Sequence, residues 1–184
     1  MKDDTMQNDD TLIAVFADHL AAEKAVGSLM DAGFPTQSLS VVGKGSPSGE
    51  KTLFHGIGDR LKFWGTRGAF WGGLWGLFFG GLFVAFPEVG IVVVLGYLAA
   101  TTISAVESES MVDGFATLET ALTRLGIPLA SATRHGTAVK ADGFLVMVHG
   151  AREEIDRARS IVTTAGATST EVHSGLEKPA VEPQ

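Results

Sequence analysis

The chain has 184 residues, enough for one ordinary domain or a small domain carrying a membrane element. Its formal charge of −7 leaves no broad basic surface for a phosphate backbone, so nucleic acid is not expected as a partner. The absence of cysteine excludes disulfides, thiolate nucleophiles, thiol redox chemistry and Cys-based zinc sites.

Residues 1–10, MKDDTMQNDD, are polar and acidic, lack the apolar run of a cleavable signal, and are expected to be disordered. A first βαβ half is expected over 11–45. TLIAVFA (11–17) has the apolar and branched content of a buried strand. DHLAAEKAVGSLMDAG (18–33) has helical spacing through Leu20, Ala25, Leu29 and Met30, and SLSVVG (38–43) is the next strand. Asp18 suits the N-cap of that helix and Gly33 the left-handed residue past its end. From Gly43 to Lys51 the chain is rich in Gly, Ser and Pro and reads as a linker, so 46–67 are assigned to a linker and membrane approach.

Residues 68–106 are the most distinctive part. GAFWGGLWGLFFGGLFVAF (68–86) and VGIVVVLGYLAATTISAV (89–106) carry no charge and are separated by Pro87 and Glu88. As helices each would span roughly 27 to 28 Å, close to the hydrocarbon thickness of a bilayer. Pro87 removes an amide donor and biases Phe86 out of the helical region, so a transmembrane helical hairpin turning at Pro87 and Glu88 is expected. Arg60, Lys62 and Arg67 before the first span place both termini in the cytoplasm, with Trp64 and Trp71 as interfacial anchors. Gly68, Gly72, Gly76 and Gly80 recur at intervals of four, with Gly73 and Gly81 on the adjoining ridge and Gly96 in the second span. A face stripped of side chains lets another helix approach closely, which is what holds helices together in lipid. That face would dock either against the other arm of the hairpin or against another subunit.

Connecting helices follow over 107–142. Phe115, Leu118, Leu122 and Leu125 share one face of MVDGFATLETALTRLG (111–126), expected to cover the sheet or a neighbouring subunit, and a shorter helix lies around 131–141. The plan of the first half then recurs over 143–174: strand FLVMVHG (144–150), helix AREEIDRARSIVTTAG (151–166) and a strand near STEVHS (169–174). Both helices close on an Ala-Gly pair. The expected fold class is therefore α+β, a split ferredoxin-like domain with its helices on one face and an inserted transmembrane hairpin. The tail 175–184, with Pro179 and Pro183, is expected to be disordered.

The segment GDRLKFWGTRGAFWGGLWGLFFG (58–80), with LTRLGIP (122–128) and a late apolar strand ending in His-Gly, resembles an uncharacterised family of bacterial membrane proteins described as general-stress-protein-like. The resemblance implies a small inner-membrane protein with α/β flanks and a link to stress responses. It carries no catalytic residues.

Sites for chemistry are sparse. Gly43-Lys44-Gly45-Ser46 lacks the order of a Walker A phosphate loop. Among His19, His55, His135, His149 and His173 no pair has the i, i+4 spacing of a helical metal site. Loops over a sheet edge could bring His19 and His149 together, but surface or structural roles are expected, with no metal, cofactor or catalytic residue. The leading expectation is a non-enzymatic, self-associating inner-membrane protein whose partners are the bilayer and further copies of itself. A pore for a small solute and a ligand-sensing membrane regulator are the alternatives.

Overall fold

In a computed structural model, the described residues are 9–45, 66–78, 81–86, 90–97, 119, 122–123 and 126–174. They form β1 (Asp10–Phe16), α1 (His19–Asp31), β2 (Leu39–Lys44), α2 (Thr66–Leu77), β3 (Gly81–Phe86), β4 (Gly90–Gly96), α3 (Leu129–Lys140), β5 (Phe144–Gly150), α4 (Arg152–Thr164) and β6 (Ser169–His173). The strands make one six-stranded sheet in the order β3-β4-β2-β5-β1-β6, with every neighbouring pair antiparallel. The protein is thus an α+β fold built on an antiparallel sheet.

Local chemistry sets the element ends. Asp18 caps α1, its Oδ1 accepting the Ala21 amide at 2.9 Å. Gly33, at φ +92°, ends the helix in a Schellman motif: its amide donates to the Met30 carbonyl and that of Phe34 to Leu29. The same pair of bonds recurs at Gly126 and Gly166, and at Asp142, which adopts φ +66° without the freedom of glycine.

Strands β1, β2 and β5 and residues 92–95 of β4 are buried on both sides. Leu12, Ala14, Phe16, Val41 and Val146 point to one face, where they meet Ala22, Ala25, Val26 and Leu29 of α1, Phe70, Trp71 and Leu74 of α2, and Ile155, Ala158 and Val162 of α4. The alternate residues Ile13, Val42, Val92, Val94, Leu145 and Met147 meet Ala132 and Val139 of α3 on the other face, with Leu122 and Ile127. Helices therefore cover both faces, where the sequence led us to expect one. The strand period of two sends alternate apolar side chains to opposite sides, and each set needs a cover. Leu20, assigned to the buried stripe of α1, is 66% exposed, and Ala22 and Val26 fill that stripe instead.

The principal correction falls on the uncharged run. α2 is helical as expected, but Gly81–Phe86 and Gly90–Gly96 are strands: β3 pairs with β4, and β4 continues the sheet beside β2. LFVAF and IVVVL are dense in β-branched and aromatic residues, which favour the pleated surface of a sheet. No helix among the described residues is long and apolar enough to cross a membrane. Of the 111–126 segment only Glu119, Leu122 and Thr123 are described within its helix, and Phe115, Leu118 and Leu125 lie outside the described residues.

Candidate functional site

The polar residues that sit deepest lie on the α3 side of the sheet. In α3 the buried positions Ser131, Ala132, His135, Gly136 and Val139 follow the helical repeat, so packing that stripe on the sheet carries His135 inward with it. In β6, Glu171 and His173 are two residues apart and share a face. The register places Glu171 opposite Ile13 and His173 opposite Thr11, and Ile13 belongs to the α3-side core. Helix and strand thus bring two imidazoles and one carboxylate to one place.

Glu171 organises the group. Its Oε1 accepts from Arg134 Nε at 3.0 Å and Nη2 at 2.8 Å, and Arg134 Nη2 also reaches Ser131 Oγ at 2.9 Å. Its Oε2 lies 3.6 Å from His135 Nε2 and 3.6 Å from His173 Nε2. Both of these Nε2 atoms are buried without a hydrogen-bond partner. The two imidazoles meet edge to face, their centroids 6.5 Å apart at 89°.

Burial is the main reason that both rings titrate below the ordinary histidine value, and it outweighs the raising effect of Glu171. Burial opposes ionisation of Glu171, but hydrogen bonds from Ser131 and Arg134 and the charges of His135 and Arg134 prevail and hold its carboxyl below the usual value. Burial thus favours the neutral form of both imidazoles, and the surrounding donors favour the ionised form of the carboxyl. Such a group offers lone pairs to an electrophile.

A second polar group adjoins it. Thr11 stands between His173 on β6 and His149 on β5, and its Oγ1 is 2.8 Å from His149 Nδ1. Tyr97 packs on the His149 ring, centroids 4.2 Å apart, and His149 Nε2 is buried without a hydrogen-bond partner. Burial pushes His149 down to about 4, against a raising influence from Asp9. His19 is not part of this row: its ring lies against Phe70 and Phe144, at the other end of β5.

The residues singled out for helix packing divide. Gly68, Gly72, Gly73 and Gly76 fall in α2, whose Phe70, Trp71 and Leu74 are buried against the sheet while Gly72, Gly73 and Gly76 are exposed. A Cβ built on Gly73 or Gly76 meets nothing within 4 Å. Gly81 opens β3 opposite Leu95, a strand position instead of a helical ridge. Gly96 ends β4 at φ +84°, where a Cβ would strike the Leu39 carbonyl, so its role is backbone conformation and close strand approach.

Trp71 is also reassigned. It is 6% exposed, packs beside Phe70 and Phe144, and its indole donates to the Lys44 carbonyl, so it is a core residue and not an interfacial anchor. Arg67 lies in the first turn of α2, whereas Arg60, Lys62, Trp64, Gly80, Pro87 and Glu88 lie outside the described residues. Lys44, weighed as part of a phosphate loop, is a strand residue whose Nζ donates to the Lys140 carbonyl at 2.7 Å.

The strand expected near 169–174 already sets Glu171 and His173 on one face, but nothing in the order of residues says that α3 carries His135 over it. No family model, curated protein or solved structure matches the chain.

Proposed function

We propose that this chain is a non-enzymatic, self-associating protein of the bacterial inner membrane, its copies meeting through the glycine face of α2. The observation that carries this reading is that Gly72, Gly73 and Gly76 are exposed on a helix whose opposite side is fixed in the core by Phe70, Trp71 and Leu74. A rigidly mounted backbone with no side chains in the way is suited to close helix contact, which is most effective where lipid removes the hydrophobic drive. Lipid as the surrounding medium rests on the resemblance to a membrane family, since the charge-free stretches on either side of Glu88 include the sheet strands β3 and β4. The link to stress adaptation, and a cytoplasmic position for both termini, rest on the resemblance and on the positive charges at Arg60, Lys62 and Arg67.

Within this reading the β2-β5-β1-β6 part of the sheet, with α1 and α4 on one face, is a split ferredoxin-like unit. The segment holding α2, β3, β4 and α3 is its insertion. The strand order and the recurrence of strand, helix and strand in both halves support that assignment.

The test has two parts. Membrane fractionation of cells followed by alkaline carbonate extraction should leave the protein in the pellet, and recovery in the soluble fraction would overturn the membrane assignment. Light scattering on the detergent-solubilised particle, corrected for bound detergent, should give a discrete oligomer that falls to a monomer in the double variant Gly72→Leu and Gly76→Leu. A wild-type monomer, or an oligomer unchanged in the variant, would overturn the glycine contact. Because both positions face away from the core, the variant is expected to keep its fold, which circular dichroism checks.

A further inference from the structure

We infer that His135, Glu171 and His173 form a binding site for one divalent first-row transition-metal ion of the zinc and cobalt class. The inference stands independently of the proposed self-association. Three observations carry it. The donor atoms of the three side chains all lie within 4.8 Å of one another. The carboxylate Oε2 is equidistant, at 3.6 Å, from both imidazole Nε2 atoms. Those Nε2 atoms are buried and lack hydrogen-bond partners, and His135 is only 2% exposed. An unsatisfied buried nitrogen is costly, and two of them aimed at one carboxylate oxygen are explained together by a cation between the three.

The metal class follows from the donors. Two imidazole nitrogens and one carboxylate oxygen suit zinc, cobalt, nickel, copper or iron, while calcium and magnesium prefer oxygen-only shells. Around a tetrahedral ion, donors at about 2.0 to 2.2 Å stand roughly 3.3 to 3.6 Å apart. The two carboxylate-to-imidazole separations, at 3.6 Å, are already close to that, while the set as a whole, spread over up to 4.8 Å, must draw together on loading.

Arg134 supplies the support that metal-bound carboxylates normally have: it holds Glu171 by Oε1 and leaves Oε2 for the ion. Its own positive charge opposes a dication, but the side chain is 60% exposed and solvent weakens that repulsion. Three protein donors leave a coordination position for water or a small anionic ligand. The ion would tie α3 to the edge strand β6.

The test uses the full-length protein in detergent, stripped with a chelator. Titration with Co2+ should give visible absorption bands saturating at one ion per chain and lost on addition of Zn2+. Zn2+ at about a hundredfold over its dissociation constant should raise Tm by roughly 5 to 10 °C. His173→Ala and Glu171→Gln should each weaken binding at least about tenfold, while His149→Ala, next in the row but outside the donor set, should not. His135 is too deeply packed to serve as the only probe. His173 on the sheet's outer strand and the near-isosteric Glu171→Gln keep the inference testable if His135→Ala fails to fold. Absence of stoichiometric binding by folded wild-type protein would overturn the site and leave a water as the group's occupant. Full affinity in either variant would overturn the three-donor arrangement.

Discussion

The indole Nε1 of Trp71 donates a buried hydrogen bond of 3.2 Å to the backbone carbonyl of Lys44, fastening α2 to the end of β2. The ring completes an aromatic group with Phe70 and Phe144 on the α1 side of the sheet. A residue that packs this way acts on stability. Trp71→Phe, which keeps most of the ring and loses the donor, should cost about 1 to 2 kcal/mol, and Trp71→Ala about 3 to 5 kcal/mol. Denaturant midpoints measure both, and a change below about 0.5 kcal/mol in each would place Trp71 outside the core.

Glycines within one short segment should respond oppositely to alanine. At Gly96 a methyl group faces both a left-handed φ of +84° and the Leu39 carbonyl, so Gly96→Ala should destabilise by about 2 to 4 kcal/mol and loosen the β2-β4 pairing. At Gly73, mid-helix with open space beyond its Cα, Gly73→Ala should stabilise by about 0.5 to 1 kcal/mol through helix propensity. Denaturation curves give both signs, and hydrogen exchange at Val92 to Leu95 shows whether the strand has loosened.

Arg157 links the two helices that share a face. Its guanidinium lies 4.6 Å from the centroid of the Phe34 ring, and Nη2 donates to the Ala32 carbonyl at 3.1 Å, so it covers the Schellman end of α1. A planar fork can stack and donate at once, whereas an ammonium cannot do both in that geometry. Arg157→Ala should therefore cost about 1 kcal/mol, and Arg157→Lys should recover less than half of it. A lysine variant as stable as wild type in urea melts would show that charge alone matters there.

The legible parts of the sequence were those in which a local rule had one outcome. Asp18 before an apolar-periodic stretch and Gly33 after it fixed a helix, and Gly166 repeated the signal, so both strand-helix-strand halves are placed within a residue or two of their observed bounds. The uncharged run had no such rule. A strand buried on both faces and a membrane helix are both apolar all round, so periodicity disappears and length alone favoured the helix. The β-branched content of Ile91 to Leu95 was the signal for the strand. The histidine and glutamate group was illegible for another reason. His135 and His173 are far apart in the chain, and only the packing of α3 over β6 brings their Nε2 atoms to one carboxylate.

His149 should make the fold sensitive to acid. In the folded protein burial lowers its pKa from the ordinary 6.5 to about 4. The folded state therefore binds a proton less readily than the unfolded chain, whose imidazole takes one up near 6.5. Above that value neither state is protonated and the full stability is present. As pH falls from 6.5 toward 4 the unfolded state gains protons first and stability declines, levelling once the folded state is also protonated. The span between the two values corresponds to about 3 kcal/mol. His135 and His173, also lowered by burial, and Glu171, held below the usual carboxylate value, push in the same direction, the last at lower pH. Urea midpoints between pH 4 and 8 should fall on the acid side, and His149→Asn should flatten the upper part of that fall. A variant as acid-sensitive as wild type would mean that the Thr11 and Tyr97 pocket accepts the protonated ring without penalty.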